Sequence, residues 1–226
     1  MFEAVGEFIM VYGSTCFKEQ YGFDYQFTVA FMLAIVMCNH PSNSNLNPMV
    51  TLSFCLRNTK RYQLQLLWIY FKAQFIGAFS AIVLTYMING VYRFPFGPKQ
   101  YTIKNYFEIA LSECMGVFIL CLLVLQVVGP NTVYTTNRLS KYMYIGFMIY
   151  IGRRFAISSY TALNAWITLS RAIIGIWKDD WEGLKFYPLW IIGDILGCLL
   201  AVGFYNLVLE PCILHVRVKK LIVRER

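Results

Sequence analysis

Two asparagines head short apolar stretches, each behind a polar break in the chain: Asn47-Pro48-Met49-Val50-Thr51 and Asn164-Ala165-Trp166-Ile167-Thr168. The first turn of a helix leaves backbone N–H groups unpaired and carries partial positive charge, so Asn suits the cap and Pro the first turn. At membrane depth, irregular backbone persists only where protein buries it or where it lines a wet cavity. Two such breaks in corresponding halves point to a conduit whose centre lies between two half-helix starts.

Residue sets for other chemistry are missing. The sequence has no nucleophile–base pair, no His-Glu-x-x-His and no convergent carboxylate cluster, so it does not read as an enzyme. Cys16, Cys38, Cys55, Cys114, Cys121, Cys198 and Cys212 lack Cys-x-x-Cys spacing and paired histidines. They read as buried thiols, with no metal or cofactor expected. Cys38 and Cys55 flank the Asn47 stretch, where thiol reagents would act on a channel. Gly6-Glu7-Phe8-Ile9 and Ser112-Glu113-Cys114-Met115 each precede an asparagine stretch, a weak internal repeat built on two carboxylates.

The elements that must position these residues are membrane spans. The chain has 226 residues, 58% hydrophobic, 17% aromatic and 14% charged, a composition far from the soluble average. Apolar segments fall near 3–17, 24–40, 66–89, 107–128, 142–157 and 186–209. Two more, near 47–56 and 164–175, are too short for a hydrocarbon core of about 30 Å. The expected fold is all-α: six transmembrane helices and two re-entrant half-helices in an inverted repeat, one domain over 1–226. Its halves are about 1–90 and 106–211, with a basic tail at 212–226. No cleavable leader is read at the start, because Glu3 and Glu7 lie in the first apolar run. The net charge of +8 is spread between apolar segments without an aromatic-basic surface module, so nucleic acid is not an expected partner. Basic residues favour the connections and tail that would be cytoplasmic if both termini are.

The run Ser42-Asn43-Ser44-Asn45-Leu46-Asn47-Pro48-Met49-Val50-Thr51 resembles the Ser-Gly-Gly-His-Leu-Asn-Pro-Ala-Val-Thr loop of the aquaporin and aquaglyceroporin family. Gln74-Phe75-Ile76-Gly77-Ala78, Glu113, Gly193-Asp194-Ile195-Leu196-Gly197, Tyr205 and Pro211 follow in the family's order. The resemblance implies half-helices meeting end to end at the midplane, a homotetramer with one pore per subunit, and passage of water and small neutral solutes through a lipid bilayer. Asn47 and Asn164 would offer side-chain N–H groups to a passing oxygen. Glu7 and Glu113 would accept bonds from loop backbone donors.

The second box departs from the family, because Asn-Pro-Ala-Arg reads here Asn164-Ala165-Trp166-Ile167. The filter arginine is absent. By spacing, the remaining constriction positions are Gly152, Thr161 and Phe27, or Phe31 in an alternative alignment, which makes a broad, apolar constriction. Arg171 lies one turn beyond Ile167, where it either covers the vacated site or snorkels to an interface. Arg153 and Arg154 either ring a vestibule or anchor their helix, and His40 either titrates at a vestibule or is structural. Trp166 either narrows the pore with Met49 or fills a packing gap. Asp194 is a carboxylate at membrane depth whose partner the sequence does not name.

Together these features resemble the divergent superaquaporin branch: a channel for water and possible glycerol-sized solutes in a plasma or intracellular membrane. The alternative is a structural or junctional membrane protein with its pore occluded near Trp166 and Met49.

Overall fold

The structure, a computed structural model, describes residues 1–15, 23–42, 44–57, 64–90, 103–133, 135–156 and 163–216, without side-chain placement at 23, 39–42 and 103–104. The elements are α1 (Phe2–Thr15), α2 (Phe23–Ser42), α3 (Pro48–Arg57), α4 (Leu64–Asn89), α5 (Ile103–Val128), α6 (Arg138–Phe155), α7 (Ala165–Ile176) and α8 (Glu182–Phe204). A π-helical turn, Tyr205–Leu209, extends α8 into a further helical stretch described as far as Val216.

Composition alone marks Leu64–Asn89, Asn105–Val128 and Glu182–Val216 as long and apolar enough to span a bilayer. Their outward faces are apolar: Trp68, Ile69 and Ile76 on α4, and Ile192, Leu196, Leu199 and Leu200 on α8 are exposed. The other three expected spans are helices too: α1 and α2 are apolar over shorter described stretches, and α6 is less apolar. α6 holds Arg138, Lys141, Arg153 and Arg154 within 18 residues. α3 and α7, at 10 and 12 residues, are half-helices. At about 1.5 Å per residue, neither crosses a bilayer.

The halves interlock. α3 packs against α8 and α7 against α4, so each half-helix is embraced by a long helix of the other half. Within each half the long helices meet through glycine. A Cβ at Gly77 would run into the Ala4 carbonyl and lie 2.9 Å from the Glu7 Cβ, and one at Gly197 would run into the Cys114 carbonyl and lie 3.1 Å from the Val117 Cβ. Backbone can come this close only without a side chain in between.

Candidate functional site

The two half-helices start head to head. Asn47 Oδ1 accepts the Met49 N–H at 2.8 Å and the Val50 N–H at 3.4 Å; Asn164 Oδ1 accepts those of Trp166 at 3.0 Å and Ile167 at 3.4 Å. Both residues are N-caps. Before each comes a leucine in the left-handed region, Leu46 at φ 46° and Leu163 at φ 55°, a conformation that costs about 1–2 kcal/mol for a side chain of this kind. That turn aims each leucine carbonyl at the opposite cap. Asn47 Nδ2 donates to Leu163 O at 2.6 Å, and Asn164 Nδ2 donates to Leu46 O at 3.1 Å. Thr51 and Thr168 return their hydroxyls to the Asn47 and Asn164 carbonyls at 3.0 and 3.1 Å.

The carboxylates break this symmetry. Glu7, fully buried, accepts the other hydrogen of Asn164 Nδ2 on Oε1 at 2.8 Å, so both N–H groups of that amide are engaged. Asn47 Nδ2 has one bond, which leaves its second hydrogen without a partner among the described residues. The loop backbone goes to Glu3 rather than Glu7: its two oxygens accept the N–H groups of Asn45 and Leu46, both at 3.0 Å. Gln74 Nε2 completes this network with bonds to Glu3 at 2.9 Å and Thr51 at 3.0 Å. Glu113 is equally buried and lies against Asp194, whose two oxygens lack a well-formed hydrogen bond among the described residues.

Phe27, Phe31 and Ile167 are all buried in the main apolar core, and the two phenyl rings stack at 6.5 Å. Gly152 faces away from Phe27, since a Cβ there would lie 3.0 Å from the Gly116 carbonyl and 3.1 Å from the Leu163 side chain. Its neighbour Arg153 places its guanidinium carbon 4.7 Å from the Phe27 ring centre and binds Asp24 Oδ1 through Nε at 2.9 Å and Nη2 at 2.8 Å. Arg154 bonds the other Asp24 oxygen at 3.3 Å but is largely exposed. Arg171 is buried, 3% exposed, within electrostatic reach of Arg153. It does not snorkel to the surface.

The profile of the major intrinsic protein family matches residues 4–206. The chain belongs to that family. A major intrinsic protein is an integral membrane channel for water or other small solutes, and not an enzyme. No curated protein matches the chain by sequence. Among solved structures it is similar to the aquaglyceroporin from Plasmodium falciparum, at 18% identity and a TM-score of 0.77 over 94% of this chain and 96% of that one. This likeness shows the fold.

Within this major intrinsic protein, Trp166 lies against α4, edge-on to Phe71 and Phe75 with ring centres 5.6 Å away in each case. Met49 is in the buried core, and its carbonyl accepts from Cys198 Sγ at 3.3 Å. Among the described residues Cys38, Cys55, Cys114, Cys121 and Cys198 are buried thiols and Cys212 is exposed; Cys16 lies outside them. Thr161 and the His40 side chain also lie outside the described residues. Two features went unread in the sequence. Glu3 and Gly6 stand at the spacing of Glu113 and Gly116, and Gly6 and Gly116 face Leu46 and Leu163 alike, while Gly77 and Gly193 face Glu7 and Glu113 alike, so the packing carries both pairings. At the α3 end, Arg57 stacks over Tyr205 at 4.6 Å and lies 3.9 Å from Glu210, which also accepts from Asn131 at 2.8 Å.

Proposed function

We propose that this protein is a passive channel for water and small uncharged solutes whose permeants are turned at the midplane by Asn47 in particular. The carrying observation is the crossed pair of bonds between the asparagine amides and the opposite leucine carbonyls. It brings two helix N-termini together, so their partial positive charges face one point and oppose cations there. Asn47 retains one N–H for a passing oxygen, while Asn164 has given both of its own to Glu7 and Leu46. Water loses part of its hydrogen-bonded chain at this point, which interrupts proton hopping. Six helices and two half-helices with both termini cytoplasmic fit the distribution of basic residues, and homotetramer assembly follows from the family resemblance.

The rival reading, a structural membrane protein plugged by Trp166 and Met49, is less well supported. The indole is engaged by two α4 rings, a packing role for the bulk that the altered box introduces. The test is stopped-flow water and glycerol permeability in proteoliposomes. Wild type should exceed empty vesicles, and Asn47→Ala should reduce water flux by about tenfold, the loss of one hydrogen bond at a dry site. Wild-type vesicles as tight as empty ones would remove the channel reading.

A further inference from the structure

We propose that Arg153, stacked on Phe27 and held by Asp24, supplies the barrier charge that the missing filter arginine leaves vacant at Ile167. Arg171 reinforces it from α7. The inference rests on the channel reading above and names what would make that channel selective.

Ile167, Phe27 and Phe31, the constriction positions expected from spacing, carry no donor and no charge. Gly152, which by spacing from Asn164 belongs to this constriction, is turned into the seam with Gly116 and Leu163. The residue that meets Phe27 from α6 is therefore Arg153. Its side chain is 6% exposed, whereas the Arg154 side chain, sharing the same carboxylate, is 53% exposed. One arginine is thus directed inward and its neighbour outward.

Buried arginines in a membrane bundle are costly even when paired, and an intramembrane charge reads by default as functional. Asp24 from α2 and Glu113 from α5 are the acidic groups that act on Arg153, against the positive charges of Arg153, Arg154 and Arg171. Arg153 and Arg154 share the single carboxylate of Asp24, so that pair of arginines keeps a net positive charge. In surroundings of low dielectric such a charge repels cations over several ångströms, and a guanidinium favours neutral permeants that present an acceptor oxygen. Phe27 fixes the height of the charge by stacking and Asp24 fixes its direction by the two-pronged bond, so the donor comes from α6 rather than α7.

The experiment measures water, glycerol, sodium and chloride permeability of proteoliposomes holding wild type, Arg153→Leu, Asp24→Asn or the double variant Arg153→Leu/Ile167→Arg, each checked for folding by gel filtration and circular dichroism. Arg153→Leu should raise sodium leak by about tenfold over wild type, and the double variant should suppress it again. Asp24→Asn, which adds net positive charge, should shift the chloride-to-sodium ratio upward; this arm stands even where Arg153→Leu fails to fold. A water-conducting wild type with sodium leak unchanged in folded Arg153→Leu overturns this assignment and leaves the channel reading intact. An unchanged ion ratio in Asp24→Asn also overturns it. Wild type and Arg153→Leu both as tight as empty vesicles overturn both proposals.

Discussion

Glu7 holds one N–H of Asn164, and among the described residues Asn164 is the one cap asparagine bonded to a carboxylate. The Glu-x-x-Gly spacing sets Glu7 level with Val117, and among the described residues no carboxylate bonds Asn47. Glu7 Oε2 has no hydrogen-bond partner among the described residues, although it is fully buried. Burying a carboxyl group with one oxygen unmatched is costly, and replacing it by an apolar side chain of similar size relieves that cost, which offsets the loss of the Asn164 bond. Glu7→Leu should therefore melt in detergent no lower than wild type, and should raise water permeability by roughly fivefold as Asn164 regains a free N–H, a barrier change of about 1 kcal/mol. A melting point several degrees lower, with flux unchanged, would show that Glu7 supports the fold instead. The two asparagines were legible because a helix cap at membrane depth, present once in each half, has its natural place beside a conduit. The carboxylates were half legible. Glu7 drew notice as a charge, but only the Gly6 and Gly116 spacing picks out Glu3 as the counterpart of Glu113. The same alignment matches Asp194 with Gln74: an acid faces Glu113 where an amide donor faces Glu3.

At the scale of elements, α3 and α7 are legible from their caps and their shortness, and α4, α5 and α8 from apolar length. α6 is less so, because a helix held between neighbours needs no continuous apolar surface. α6 therefore keeps its arginines. Nothing in the local sequence announces the π turn at Tyr205–Leu209. Residues five apart on a regular α-helix point about 140° away from each other, whereas an i→i+5 turn draws them nearer one face. Tyr205 and Glu210 thus both reach Arg57 at the end of α3. Trp166 belongs to this scale too, as a wedge between α7 and α4. Trp166→Ala should lower stability by about 2–3 kcal/mol through lost burial and the gap it leaves, without raising permeability. Thermal unfolding and stopped flow on the same sample decide it. A conducting Trp166→Ala beside a silent wild type would restore the occluded-pore reading.

The whole molecule is two halves that complete one another, since each half-helix packs on a long helix from the opposite half and each cap is closed by the opposite backbone. The inverted repeat was visible in the sequence as order; this exchange was not, because it depends on contacts between distant segments rather than on any local pattern. Fragments 1–133 and 135–226 should conduct water only when produced together, and conduction by either one alone in vesicles would contradict the interlocked arrangement. The crossed bonds also set a timetable. Asn47 and its partner Leu163 are 116 positions apart in the chain. At about 5–20 residues per second, the ribosome takes on the order of ten seconds to deliver the second after the first. Through that interval α3 waits in the nascent protein with its polar tip unsheltered, so the step at which this protein is most exposed to surveillance in the cell comes after its first half is made and before α7 arrives.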